Sequence, residues 1–314
     1  MDVVVMFFLL GAIAGLLKVD LRLPPPIYDL VSAVLLLAIG LKGGVELSRH
    51  LDASLALQSL GVLGFGAVLT LLAFGILRGV GRIQRPDAAA IAAHYGSVSV
   101  ATFAVAAAYL TARGIAFEGQ VTLFLVLLEI PGILIGIWLG RSQGAKTPWR
   151  SLLREIFLGR SVVLLLGGLF IGWAAGPEGV APIAPLFVDL FKGMLALFLL
   201  EMGLIAAEQF SGFRRHGPFM AAFAVLTPLL FGLLGTMMGA ILGLSLGGTI
   251  LMATLAASAS YIAAPAAVRT GIPAANAGLS LTAVIGITFP FNILIGVPVY
   301  EYLARWIVGS GIGA

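Results

Sequence analysis

The chain is written as long apolar blocks separated by short polar joints. At ~20 residues for each crossing of a bilayer, the blocks divide into about ten helices, over 2–17, 28–48, 53–77, 87–111, 119–140, 161–176, 183–208, 217–243, 248–269 and 275–303. The first and sixth are short for a full crossing, which fits a tilted or re-entrant entry. Met1–Leu17 has no basic n-region and its apolar run passes through Gly11, Ala12 and Gly15 into a charged joint. It therefore reads as a first span and not as a signal peptide. One block is unlike the rest. In Leu255–Asn276 an apolar helix gives way to Ala257, Ser258, Ala259 and Ser260, with Pro265 and Gly271-Ile272-Pro273 following. At membrane depth a helix breaks only where protein or a watery cavity satisfies the freed backbone groups.

Composition turns this pattern into a class. Of 314 residues, 60% are hydrophobic and 10% charged, against roughly 25% charged in soluble domains. The fold class is therefore an all-α polytopic membrane protein. Cysteine is absent, which excludes disulfides and thiolate metal sites. A net charge of +4 matters through its distribution. Lys18, Arg22, Arg78, Arg82, Arg85, Arg141, Lys146, Arg150, Arg154, Arg160, Arg214, Arg215 and Arg269 follow odd-numbered spans. Arg49, Arg113 and Arg305 follow even-numbered ones, while Lys42 and Lys192 fall within spans. Positive residues collect on the cytoplasmic side, so the odd joints are expected in the cytoplasm and both termini outside it.

The chain also repeats itself. LLGAIAGLL with Asp29 and AIGLKGGVEL is answered by LLGGLFIGW with Asp189 and EMGLIAAEQF. Gly96-Ser97-Val98-Ser99 corresponds to Ala257-Ser258-Ala259-Ser260, and Arg113-Gly114-Ile115 to Thr270-Gly271-Ile272. Glu129-Ile130-Pro131-Gly132 corresponds to Phe289-Pro290-Phe291-Asn292. The organisation expected is a first five-helix repeat over 1–140, a cytoplasmic linker over 141–160 and a second repeat over 161–314. Five is odd, so the second repeat is inverted, with helices 4 and 9 broken at matching places. That arrangement points to a transporter site near the midplane. Glycines at four-residue spacing, such as Gly132/Gly136/Gly140, Gly168/Gly172/Gly176 and Gly235/Gly239/Gly243/Gly247, let helices approach closely. They are read as packing in preference to gating.

The candidate solute site is Ser97, Ser99, Thr102, Ser258 and Ser260. Helix N-termini meeting there offer partial positive charge and free N–H donors, which suits an anion. Serine hydroxyls add donors without a full salt bridge, although a membrane serine also bonds back to the preceding turn. Intramembrane Glu129 and Glu201 are ion ligands, proton carriers or structural hydrogen-bond acceptors. Lys42 either acts in transport or extends to the interface. His94 is a pH-sensitive neighbour or a structural side chain. Arg113 and Arg269 read as boundary anchors.

These residues resemble the cyanobacterial sodium-dependent bicarbonate transporter family nearly end to end. The resemblance rests on Ile39-Gly40-Leu41-Lys42-Gly43-Gly44, Gly96–Thr102, Glu129-Ile130-Pro131, and above all Ala256-Ala257-Ser258 through Arg269–Asn276. It implies ten spans in two inverted repeats, a homotrimer in the bacterial inner membrane, and substrate between the broken helices. Ala259 and Tyr261 stand where the family pattern has serine and an aspartate expected to help hold Na+, and Lys42 where it is neutral. An ammonium replacing a bound cation would leave transport uncoupled or proton-coupled, so Lys42, Glu129, Glu201 and Tyr261 are the coupling candidates. The family's insert between spans five and six shrinks to roughly Arg141–Arg160, which leaves a soluble nucleotide-sensing partner open. Expected is a secondary transporter of a small anion, bicarbonate first, with Na+ the possible coupling ion. The alternatives are a proton-coupled monocarboxylate carrier and a passive anion channel. No other cofactor, nucleic-acid partner or enzymatic role is expected. Ser97 and His94 lack the third orienting group of a hydrolase, and a His-Glu-x-x-His metal motif is missing.

Overall fold

A computed structural model describes residues 2–49, 54–141, 148–212 and 217–309. Lys146, Arg214 and Arg215 lie outside them. The described residues contain helices and turns without a strand, as expected where each backbone group must find its partner inside its own segment. The helices are α1 (Val3–Leu16), α2 (Pro25–Arg49), α3 (Ser54–Gly79), α4 (Arg85–Tyr95), α5 (Val100–Ala112), α6 (Gln120–Gly140), α7 (Trp149–Phe157), α8 (Arg160–Val180), α9 (Phe191–Gly212), α10 (Gly217–Ile241), α11 (Leu246–Ala257) and α12 (Ala263–Gly271). The last, α13 (Ala277–Gly309), passes through π-helical turns at Val284–Thr288 and Asn292–Gly296. Among the described residues seven helical stretches are long and apolar enough to cross a membrane; α1 and α11 are shorter apolar helices.

Small residues decide which helices lie together. On α1, Gly11 rests against Leu200 of α9 and Gly15 against Leu204 and Ala207, while Gly203 of α9 rests against Phe8 and Ala12. On α8, Gly168 and Gly172 rest against Leu37, Gly40 and Leu41 of α2, and Gly44 of α2 against Leu169 and Trp173. A Cβ at these positions would strike backbone or, at Gly15, the Ala207 Cβ, so glycine sets the contact distance. Further on, Gly132, Gly136 and Gly140 of α6 close onto the Gly96 turn and onto Ala93 and Ala89 of α4. Gly235 and Gly239 of α10 close onto α11 at Met252, Ala253, Ala256 and Thr249.

Polar contacts tie the helix ends into two sets. At one end Arg22 pairs with Glu208, Arg160 with Asp29 at 3.2 Å, Arg85 Nε donates to the Leu139 carbonyl, and Asn276 N donates to Asp87. At the other, Gln120 donates to Gln58, Gln58 to the Leu242 carbonyl, Ser245 to Glu118, and Arg113 and Arg305 meet Glu301. The arginine-rich joints belong to the first set.

Two sequence expectations shift. The segment 141–160 contains α7, a nine-residue helix whose Leu152 and Ile156 are buried among Ile133, Ile137, Ala264, Ala267, Val268 and Ile272. Lys192 sits in the first turn of α9, which begins at Phe191 and not near residue 183. The intervening chain bends at Gly176 (φ 63°) before Pro177 and runs through short irregular turns containing Pro182 and Pro185. Those residues are apolar, so hydropathy alone joins them to the span.

Candidate functional site

Both apolar runs leave helical geometry where small polar residues enter. Helix α4 stops at Tyr95, residues 96–99 form an irregular turn, and α5 starts at Val100. Helix α11 stops at Ala257, and α12 starts at Ala263. The two turns meet. The Ser99 amide donates to Ser258 Oγ at 2.9 Å, and the Ser260 amide to the His94 carbonyl at 2.9 Å. His94 Nδ1 lies 2.6 Å from the Ser260 carbonyl. A carbonyl only accepts, so Nδ1 carries the proton, and His94 is a strut between the two turns.

The five hydroxyl residues lie in or beside the turns, each 1–2% exposed. Ser99 Oγ caps α5, accepting from the Thr102 amide at 3.1 Å and from Thr102 Oγ1 at 2.9 Å. Ser258 Oγ donates to the Leu255 carbonyl at 2.8 Å while accepting from Ser99. Ser260 Oγ accepts from the Ala264 amide at 3.2 Å, in the first turn of α12. Among the described residues Ser97 Oγ has no hydrogen-bond partner. A buried hydroxyl without a partner costs ~1–3 kcal/mol, and this one lies within the 96–99 turn that precedes α5. Helix N-termini and hydroxyls offer donors of the kind that suit an anion.

The coupling candidates are spread out. Tyr261 lies within the second turn, its ring edge-on to Phe289 at 5.4 Å and its hydroxyl beside Ser99 without hydrogen-bond geometry. Glu129 is 1% exposed on α6, three residues before Gly132. Its Oε2 is unpartnered, with Ser161 of α8 the polar side chain facing it. Glu201 accepts from the Leu23 amide at 2.9 Å, holding the joint between α1 and α2. Lys42 is in a separate place. It is exposed, with Nζ 4.4 Å over the Phe191 ring. It lines a cavity of about 870 Å³ shared with Glu46, Phe103, Thr122, Asp189 and Lys192, and none of the five hydroxyl residues lines that cavity. Arg113 anchors α5 to Glu301 at 3.3 Å, and Arg269 is exposed near the end of α12. Among the described residues, no three His, Asp or Glu side chains gather as metal ligands.

Sequence reasoning missed Asn292. Its Nδ2 donates to the Ala257 carbonyl at 2.9 Å, satisfying the end of α11, and its Oδ1 accepts from Tyr300 OH at 2.6 Å. The signal was present: Asn292 is a fully buried amide in an apolar run, at the repeat position of Gly132. Thr288, 2.7 Å from Tyr95 OH and donating to the Ala224 carbonyl at 2.7 Å, was missed as well.

None of the curated proteins compared matches the sequence. A family match does, and it extends over both turns and all the helices that carry them. With residues 3–305 matched, the chain belongs to the Na+-dependent bicarbonate transporter superfamily.

Proposed function

We propose that this protein is a secondary transporter that carries a small anion, bicarbonate first, between the turns at 96–99 and 258–262. The family consists of transporters, not enzymes. The observation that carries the reading is the meeting of the turns through Ser99 and Ser258, with the unpartnered Ser97 hydroxyl beside them. Ser97, Ser99, Thr102, Ser258 and Ser260 form the substrate site, and α5 and α12 direct their N-termini at it.

Ten crossings in two inverted five-helix repeats are the architecture we infer. The glycine pairings support it, because α1 on α9 and α8 on α2 exchange under a two-fold axis that relates the halves. The two sets of helix-end contacts support it too, since each follows the alternation that ten crossings require. The arginine-rich set then faces the cytoplasm of a bacterial inner membrane, with both termini opposite. The repeats cover 1–140 and 161–314, joined through 141–160, and the assembly is a homotrimer by family analogy. The cavity holding Lys42 opens outward, because its lining comes from the joints after even-numbered spans. Alternating access moves one helix group against another around the turns.

The coupling ion is Na+, a co-substrate here, or a proton. Hydroxyl and freed carbonyl oxygens at the turns suit Na+, while Glu129, buried with an unpartnered oxygen, suits a proton. Labelled bicarbonate uptake into proteoliposomes, with and without an inward Na+ gradient, tests the reading. Uptake driven by Na+ and lost in Ser97→Ala supports Na+ symport. Uptake indifferent to Na+ but lost in Glu129→Gln under an inward proton gradient supports the proton. No uptake of bicarbonate or a small monocarboxylate in either gradient overturns the function.

A further inference from the structure

Helix α7 lies at the arginine-rich end and has one broad apolar face, of which one edge is buried and the other exposed. Leu152 and Ile156 are buried against α6 and α12. Trp149, Leu153 and Phe157, with Leu158 just beyond the helix, are 38–63% exposed. Arg150 and Arg154, one helical turn apart, are exposed and form no ion pair among the described residues. Both line an open cavity with Pro148, Ser151, Leu153, Phe157 and Leu158, and with Glu155, whose Oε1 lies 3.3 Å from Thr270 Oγ1. The Arg141 guanidinium stacks 5.0 Å above the Trp149 ring, and Arg160 follows at the start of α8. Exposed tryptophan and leucine beside arginine at the end of a helical bundle is the pattern of a helix lying in a bilayer interface.

We infer that α7 is a binding site for the headgroup of an anionic phospholipid of the inner leaflet, and that the lipid sets the freedom of α12. Charge complementarity selects this occupant. Arg150 and Arg154 present guanidinium donors suited to a phosphodiester, while Leu153 and Phe157 accept the acyl chains. Along the buried edge of the same face α7 holds α12, through the Leu152–Ile156 contact and through Thr270 Oγ1, 3.3 Å from Glu155 Oε1. Because α12 borders the second turn, lipid bound to α7 damps movement at the substrate site. This regulatory part rests on the transport reading above; the lipid site does not.

The test reconstitutes the full chain in phosphatidylcholine vesicles with and without phosphatidylglycerol, using brominated forms of each lipid to quench Trp149 fluorescence; Trp149→Phe isolates that signal. Brominated phosphatidylglycerol should quench more strongly than brominated phosphatidylcholine at equal content, and the difference should shrink with salt. The double variant R150Q/R154Q should weaken the preference by roughly 30-fold, and R150K/R154K should restore most of it. Equal quenching by the two lipids, or a preference that survives R150Q/R154Q, overturns the site. Phosphatidylglycerol should also change bicarbonate uptake several-fold in the native chain and not in R150Q/R154Q; uptake that ignores the headgroup overturns the coupling to α12. Loss of uptake in every lipid with quenching intact would instead count against the transport reading.

Discussion

The turn at 96–99 and the turn at 258–262 occupy matching places in the two halves, yet they are built to different tolerances. The first is enclosed, and every residue of α4 is buried apart from its exposed or half-buried opening turn. Ser99 Oγ caps α5 at the Thr102 amide and accepts from the Thr102 hydroxyl as well. The far end of α5 is fixed by Tyr109 OH, 2.6 Å from Glu301, and by Arg113. The second turn opens on one side: Ile262 is 41% exposed and α12 shows Arg269 to solvent. The longer Ser260 contact caps α12, and α7 holds it through the apolar Leu152 and Ile156 and a 3.3 Å contact from Thr270 to Glu155. Positions that match in the two halves of the sequence thus need not share a job. The looser enclosure makes α12 the helix we expect to move.

The largest test exchanges what closes each turn. Gly132 fits because it lacks a side chain, and a Cβ there would strike the Gly96 carbonyl and the Ser97 amide. Its counterpart Asn292 closes the second turn with an amide. Gly132→Asn should abolish uptake and lower the detergent melting temperature, since overpacking costs ~1–3 kcal/mol or more. Asn292→Gly should leave a folded, slower transporter, destabilised by ~1–3 kcal/mol through the orphaned Ala257 carbonyl. Equal tolerance at both positions would erase the distinction. A medium effect separates the caps. Ser99→Ala should cost ~1–2 kcal/mol, and Ser260→Ala under ~1 kcal/mol, read from paired thermal melts. The smallest concerns mobility alone. The cysteine-free chain allows Ile262→Cys as a reporter, and adding Thr270→Val should change stability by less than ~0.5 kcal/mol while speeding thiol labelling at 262. Unchanged labelling would mean that the α7 contact does not restrain α12.

How legible these parts were depends on whether polarity marks them. Small polar residues interrupting an apolar run flagged 96–99 and 257–260, because serine at membrane depth must be answered by a partner. Asn292 is equally polar, but a lone amide at a position matched to Gly132, in an apolar run that the sequence leaves unbroken, carries no mark of its partner. Helix α7 was hidden because its arginines were counted as joint charges, and nine residues are too few for an apolar block. The true start of α9 was invisible for the opposite reason: the bend from Gly176 to Asp189 is almost as apolar as a span. The contact of Glu201 with the Leu23 amide could not be foreseen from composition, since it joins residues 178 positions apart.

The crossed pairing of α1 with α9 and α2 with α8 governs how the protein can be made. Gly11 meets Leu200, so the first helix is synthesised 189 residues before its closest neighbour. At roughly 5–20 residues per second, that is a wait of about 10 to 40 s. During this interval the grooved face of α1 has only lipid or an insertion factor against it. The halves therefore cannot mature as independent units, and a ribosome stalled before α9 leaves behind a membrane fragment in which α2 can close on α8 while the Gly11–Gly15 face of α1 still lacks its partner.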